Sequence, residues 1–303
     1  MNISMVRKSC LLLAGIAWAS ISVAVTPEEA NDYYAAQHWE SAEKAYRELV
    51  EQAPSDARYK YRLAVTLRHV GQLEEAADWL DKAEGGAVPA AYLDVERARI
   101  RVTEGDDEAA MKSLNAAADA GFPATSVIED DEVLVSLSDN EGYDEIMEKV
   151  ERNRVPCKFV PEMSQFDFWL GSWRVQDAAG VFQGNNRIEK TQEGCLIMEH
   201  WMGAGGTPGT SMNFYDMHAR EWVQVWVSPA IQLEIRGGIV DGSMVLVGNV
   251  YFYQSGDYQP FKGTWTPLED GVVRQHFEQS SDGGETWATV FDGYYHRETG
   301  DKG

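Results

Sequence analysis

Positive charge is scarce in this 303-residue chain: 26 lysines and arginines stand against 49 aspartates and glutamates, a formal net charge of −23. Such a surface repels phosphate backbones, which argues against nucleic acid as a partner. The excess is shared, −16 over 26–155 and −9 over 156–303, so charge favours solubility and selects no partner. Histidine is rare, with 6 copies, and no two stand at a metal-ligand spacing. Neither a metal nor a cofactor is expected. Beyond the first twenty-odd residues no apolar run is long enough to span a bilayer. Cysteine occurs three times, at Cys10, Cys157 and Cys195.

The one apolar run sits at the start. Arg7 and Lys8 precede Leu11 to Ala19, and both Ala17-Trp18-Ala19 and Ser22-Val23-Ala24 offer small-x-small cleavage sites. A positive stretch, a short apolar stretch and small residues predict a signal peptide over 1–24, cut after Ala19 or Ala24. The mature protein is then expected to be periplasmic or secreted, without a membrane span. Cys10 precedes the apolar run, so it is no lipoprotein cysteine and leaves with the signal. In an oxidising compartment the remaining pair, Cys157 and Cys195, is expected to bond.

The N-terminal half repeats with a period of 34. Ala42, Ala76 and Ala110 align, as do Tyr46, Leu80 and Leu114, then Leu49, Ala83 and Ala117, and Gly71 aligns with Gly105. Small residues at fixed places let paired helices approach closely, and each glycine is expected to end the first helix of its pair. Over about 26–120 this pattern resembles the tetratricopeptide repeat family. It departs from it in lacking a Trp-x-x-Leu-Gly start, where Leu63-Ala64 and Arg97-Ala98 stand instead. The segment from Asp119 to Val150 resembles the closing segment of bacterial repeat arrays, which must cover the last apolar face. The resemblance implies a binding face on the first helices made of Asn31, Tyr34, Arg58, Tyr61, Arg68, His69, Tyr92 and Arg99. Arginines and tyrosines there would suit an acidic, partly aromatic peptide.

From Phe166 helical periodicity gives way to short alternating segments. Strands are expected at Trp173–Gln176, Asn185–Lys190, Cys195–Met202, Ser211–Tyr215, Glu221–Val227, Gln232–Gly237, Met244–Tyr253, Gln259–Thr266, Val272–Gln279 and Thr286–Tyr295. Turns such as Asp241-Gly242 and Asp270-Gly271 separate them. Serial hairpins without a long crossover predict an up-and-down barrel, which leaves no open edge. The expected fold class is therefore α+β multidomain: a signal peptide (1–24), a helical repeat solenoid with its cap (26–155), and an antiparallel barrel (156–303).

Two motifs sharpen the second half. Ser280-x-Asp282-x-Gly284-x-Thr286-Trp287 resembles the Asp-box of sialidases and other β-propeller hydrolases. It occurs once, and a propeller needs roughly twice this length, so it reads as a hairpin turn and not as a glycosidase signature. "FDFWLGSWRV", "GCLIMEHW", "WVQVWV" and "FKGTWTPLEDG" resemble an uncharacterised family of bacterial lipocalin-like domains over 160–297. That resemblance implies a calycin-type barrel whose floor is closed by Trp173, and it implies no reaction.

Strand alternation selects the lining. With the aromatic-bearing phase turned inward, Asn186, Glu199, Trp201, Ser211, Asn213, Tyr215, Gln224 and Trp226 share one wall. Arg274, His276 and Glu278 have a common phase, so all or none of them join, and Glu199 with Arg274 would make a neutralising pair. Aromatic walls with few polar anchors describe a site for a small apolar or aromatic ligand. Three alternatives stay open: an enzyme using Glu199 as general acid or base, a haem barrel using His276, and a scaffold with a sealed core. No catalytic nucleophile is identified.

Overall fold

The computed structural model describes residues 24–298. The expected signal peptide lies outside the described residues apart from Ala24. The chain divides into two compact units, the first ending at Ile146 and the second beginning at Met147 and including Pro123–Thr125. No helix among the described residues is long and apolar enough to cross a membrane.

The first unit is built from helix pairs: α1 (Pro27–Ala35) with α2 (Trp39–Gln52), α3 (Ala57–His69) with α4 (Leu73–Ala83), and α5 (Ala90–Glu104) with α6 (Asp107–Asp119). Thr26, Asp56 and Asp106 cap α1, α3 and α6 by accepting from backbone N–H groups of the first turn. Gly105 ends α5 in the left-handed region at φ 82°, and Gly71 follows α3 at φ 80°, the two stops expected from the repeat. Ala42, Ala76 and Ala110 are fully buried, so the 34-residue alanine marks where backbones meet. Tyr46, Leu80 and Leu114 are buried beside them. The closing segment folds as α7 (Ser126–Glu129), a 3-10 turn at Leu134–Leu137, and α8 (Tyr143–Arg154). Ile128, Leu134 and Leu137 are buried completely, as a cap requires.

The second unit is a closed antiparallel barrel of ten strands: β1 (Gly171–Gln176), β2 (Phe182–Thr191), β3 (Leu196–Gly203), β4 (Pro208–Asp216), β5 (Glu221–Val227), β6 (Ile231–Val240), β7 (Ser243–Phe252), β8 (Tyr258–Pro267), β9 (Val273–Gln279) and β10 (Ala288–Arg297). Every expected strand is present. Each pairs with its neighbour in sequence, and β1 pairs with β10 to close the ring, Trp173 opposite Arg297. Lipocalin barrels have eight strands; this one has two more. The single Asp-box forms the β9–β10 turn: Ser280 Oγ accepts from the Gly284 N–H at 2.7 Å, and Asp282 accepts from the Thr286 N–H at 2.9 Å.

One end of the barrel is plugged. Phe166, Trp169, Trp173, Trp222 and Trp265 are essentially unexposed there, and Trp173 Nε1 donates to the Trp169 carbonyl at 2.9 Å. Phe166 and Trp169 come from the chain before β1, which makes 3-10 turns at Pro156–Phe159, Pro161–Ser164 and Asp167–Trp169, and Trp173, Trp222 and Trp265 come from β1, β5 and β8. Cys157, in the first of these, is bonded to Cys195 at the start of β3, with Cα atoms 5.5 Å apart. The bond ties the plug to the β2–β3 turn. Arg154 and Lys158 reinforce the tie by pairing with Glu193 in the same turn.

The disulfide closes a separation of 38 residues, which by loop entropy is worth roughly 3–4 kcal/mol. Cys157→Ser is expected to lower the unfolding free energy in urea by about that amount, with neither Cys157 nor Cys195 labelled by a thiol reagent in the unreduced wild type. Two free thiols in unreduced protein, or an unchanged midpoint, would contradict the assignment.

Candidate functional site

Toward the unplugged end the barrel holds a cavity of about 320 Å³. Its walls are Trp201, Trp226, Phe252, Phe261, Phe277 and Phe291, with Ile231, Leu233 and Val250 between them. Glycines at diagonal positions on the neighbouring strands leave room for the indoles. A Cβ on Gly209 would lie 2.0 Å from the Trp226 ring, and one on Gly184 would lie 2.7 Å from Trp201. The side chains around the mouth, Trp201, Trp226, Phe252 and Phe291, are only partly buried, whereas those of the plug are sealed. The polar lining is Glu199, Gln224, Gln275, Gln279 and Tyr295.

A belt of buried polar groups separates plug from cavity. Asn186 Nδ2 donates to Glu199 Oε1 at 2.7 Å, and Ser211 Oγ donates to Oε2 at 2.6 Å. Asn213 Nδ2 donates to Ser211 Oγ at 2.8 Å, and Gln224 Nε2 to Asn213 Oδ1 at 2.8 Å. On the other side Asn186 Nδ2 reaches the Tyr295 hydroxyl at 3.3 Å, and that hydroxyl donates to Gln275. The register makes the belt: Asn186 lies two positions from Ile188, which faces Glu199, and Glu199 faces Ser211 while Asn213 faces Gln224. Burial pushes the Glu199 carboxyl up to about 7, although Ser211 and Asn186 donate to it and pull the other way. Burial likewise raises the Tyr295 phenol, with the Glu199 charge adding to it.

The inward phase expected for β2–β5 places Asn186, Glu199, Trp201, Ser211, Asn213, Gln224 and Trp226 inside. Four of these, Glu199, Trp201, Gln224 and Trp226, reach the cavity, and the other three lie in the belt behind it. Tyr215 is inward but lies at the plug, its ring 6.1 Å from that of Trp222. On β9 the expectation has to be corrected. Arg274 faces outward and is held by Asp292 at 2.7 Å, and His276 contacts Thr289 at 3.0 Å on the outer face. The Glu199–Arg274 pair therefore does not exist. Gln275 and Phe277 take the inward phase instead, and Phe277, the one aromatic of β9, would have signalled this under the rule that held for β3 and β5. With His276 outside, the haem alternative loses its ligand; no histidine lines the cavity among the described residues. Ser211, the hydroxyl bonded to Glu199, is 1% exposed and does not line the cavity, so it is not presented as a nucleophile. Tyr295 and Phe291 escaped the sequence reading because only the closed ring brings β10 against β2 and β3.

In the helical unit, α3 and α5 set Tyr61, Arg68, Glu96 and Arg99 around one hollow with Tyr34, His69 and Asp131. Tyr61, Arg58 and Tyr92 line an adjoining one. The arginines are not free. Glu96, fully buried, pairs with Arg68 and with Arg99, and Arg99 also meets Asp131 at 2.8 Å. Burial opposes the Arg99 charge, but Glu96 and Asp131 outweigh it and raise its pKa. Arg58 is paired with Asp56 at 2.7 Å. Arg68 and Arg99 are therefore balanced within their own hollow, whereas Arg62, lining the adjoining one, stacks on Tyr34 with its guanidinium carbon 4.2 Å from the ring centre. Glu96 shares a helical face with Tyr92 and Arg99, so spacing could have found it; Asp131 comes from the cap and could not be placed without the fold. Tyr61 is buried enough for its phenol to be pushed up to about 12, while Tyr92 stays 41% exposed with its ring edge on Phe122.

Residues 28–92 match the family model of the tetratricopeptide repeat. No curated protein matches the chain. Solved structures similar to part of it include the TPR2B-domain:pHsp70 complex of yeast Sti1, 22% identical over 42% of this chain and 94% of that one, TM-score 0.30. The Yersinia enterocolitica type III secretion chaperone SycD in complex with a peptide of the translocator YopD is 16% identical, over 43% and 89%, also with TM-score 0.30. YrrB, described as a TPR protein with an unusual peptide-binding site, is 15% identical over 44% and 72%, TM-score 0.30. The matched stretch, residues 28–92, is of the tetratricopeptide repeat type, and such repeats suggest protein–protein interaction.

Proposed function

We propose that this is an exported two-part binding protein: the repeats hold a protein or peptide partner, and the barrel carries a small, partly apolar ligand. The observation that carries the second part is the cavity of about 320 Å³, walled by six aromatic side chains and furnished with a few amide and carboxyl groups. That volume is at the lower end for small-molecule sites, and the mix of apolar wall and sparse polar anchors is their usual composition. The scaffold alternative has less support, because a sealed core would leave no such space. For the repeats, the support is the match to residues 28–92 and the two hollows along α3 and α5, whose tyrosines offer apolar edges beside the paired Arg68 and Arg99 and the ring-stacked Arg62.

The neutral probe N-phenyl-1-naphthylamine tests the cavity. Wild type is expected to bind it saturably, with quenching of tryptophan emission, since Trp201 and Trp226 form the wall. Leu233→Trp fills the cavity and should weaken binding by at least about tenfold with an unchanged circular dichroism spectrum. Absence of saturable binding to wild type, which holds whatever the variant does, would overturn the reading.

Glu199 also gives stability a pH signature. Below about pH 4.5 its carboxyl is protonated in both folded and unfolded chains. From there up to about 7, where the folded group titrates, unfolding releases a proton, so stability is lost as pH rises, by roughly 3 kcal/mol in all. Glu199→Gln is neutral throughout. Relative to wild type it should gain stability between about pH 5 and about pH 8, seen as a rising difference in urea midpoint. A constant difference across that range would show that Glu199 is not buried as described.

A further inference from the structure

We propose that the barrel cavity selects a ligand that carries a protonated amine on an apolar body, over the same body carrying a hydroxyl or a carboxylate. The proposal rests on the reading of the cavity as a ligand site and adds the chemical class of its occupant.

The asymmetry of the lining is the first reason. Glu199 is the acid of the cavity wall, and no lysine, arginine or histidine lines the cavity among the described residues. Four basic side chains of the strands are held on the outer face by carboxylates there, Arg187 by Glu189, Arg236 by Glu221 and Glu234, Lys262 by Glu278, and Arg274 by Asp292, while Arg174 and Arg297 lie over the rings of Phe182 and Trp173. The other groups facing Glu199 are Asn186, Ser211 and Tyr295, of which only the phenol titrates, and its ionisation is suppressed by burial. An ionised Glu199 therefore has hydrogen-bond donors but no counter-charge.

The second reason is what remains open on Glu199. Each carboxylate oxygen accepts one hydrogen bond within the belt and keeps a further lone pair. Glu199 lines the cavity, so a ligand group can reach it. A carboxylate buried without a counter-ion is costly, and an ammonium removes that cost while a second carboxylate doubles it. The third reason is the wall itself. Trp201, Trp226, Phe277 and Phe291 surround the space, and aromatic faces attract a cation that has left water. An alcohol uses neither feature; a carboxylate finds no donor stronger than a glutamine amide.

Competition against bound N-phenyl-1-naphthylamine with n-octylamine, n-octanol and n-octanoate at about pH 8 tests this. There Glu199 is ionised in the free protein and the amine is protonated. Octylamine is expected to displace the probe at least about tenfold more tightly than octanol, with octanoate weakest. Glu199→Gln, checked for its fold by circular dichroism, should erase the advantage of the amine over octanol. Octanol or octanoate matching the amine on wild type, or no octyl compound displacing a probe that does bind, overturns the amine proposal and leaves the ligand site standing. Failure of the probe itself to bind wild type overturns both.

Discussion

Closure of the ring between β1 and β10 is the constraint on which the barrel depends. With Trp173 set opposite Arg297 and every other strand paired to its neighbour in sequence, no strand can slip by one residue without turning its whole side-chain set inside out. That single phase sends indoles, phenyl rings and carboxamides to the axis and the charged pairs to water. It also removes the open edges that ten short strands would otherwise present.

Inside that ring the structure sets a polar layer between two aromatic ones. The plug of Phe166, Trp169, Trp173, Trp222 and Trp265 is solid, whereas the mouth carries equally large rings around empty space. The difference lies in which chain segment fills which end. The segment before β1, clipped by Cys157–Cys195, occupies the floor. The layer of Asn186, Glu199, Ser211, Asn213 and Gln224 is linked by hydrogen bonds, with the Asn186 Oδ1 left unpartnered, and it contains an acid without a base. In a low-dielectric interior such a group resists ionisation unless something positive arrives. An arrangement built only for packing would not need it, since apolar residues of similar size fill a core at less cost.

The repeats solve a different problem. Their stability comes from alanines every 34 residues, which let antiparallel helices meet at close range, and from a cap that covers the last pair. Their exposed hollow holds arginines, yet Glu96 and Asp131 neutralise them from within the same unit. Charge on a helix face is thus a poor guide to what the face attracts, because burial of one carboxylate between two guanidiniums changes the local field from cationic to balanced.

Local order was legible in the chain because it is written at short range. The 34-residue period, Gly71 and Gly105 as helix stops, the Asp-Gly turns, the Asp-box hairpin and the ten strands all follow from neighbours within a few positions, where backbone sterics and side-chain periodicity act. The inward phase of β3 and β5 was also readable, since each carries its large aromatic side chains on one parity, and register with them fixes β2 and β4. Short-range pattern therefore sufficed for the two classes of architecture and for four of the cavity-lining side chains, Glu199, Trp201, Gln224 and Trp226. The closed fold was needed to show that Tyr295 joins Asn186 across the β1–β10 seam and that Glu199 has no cation. Those outcomes depend on pairings between residues up to 109 positions apart, and no local pattern records which outer carboxylate will hold a given arginine once the ring has closed.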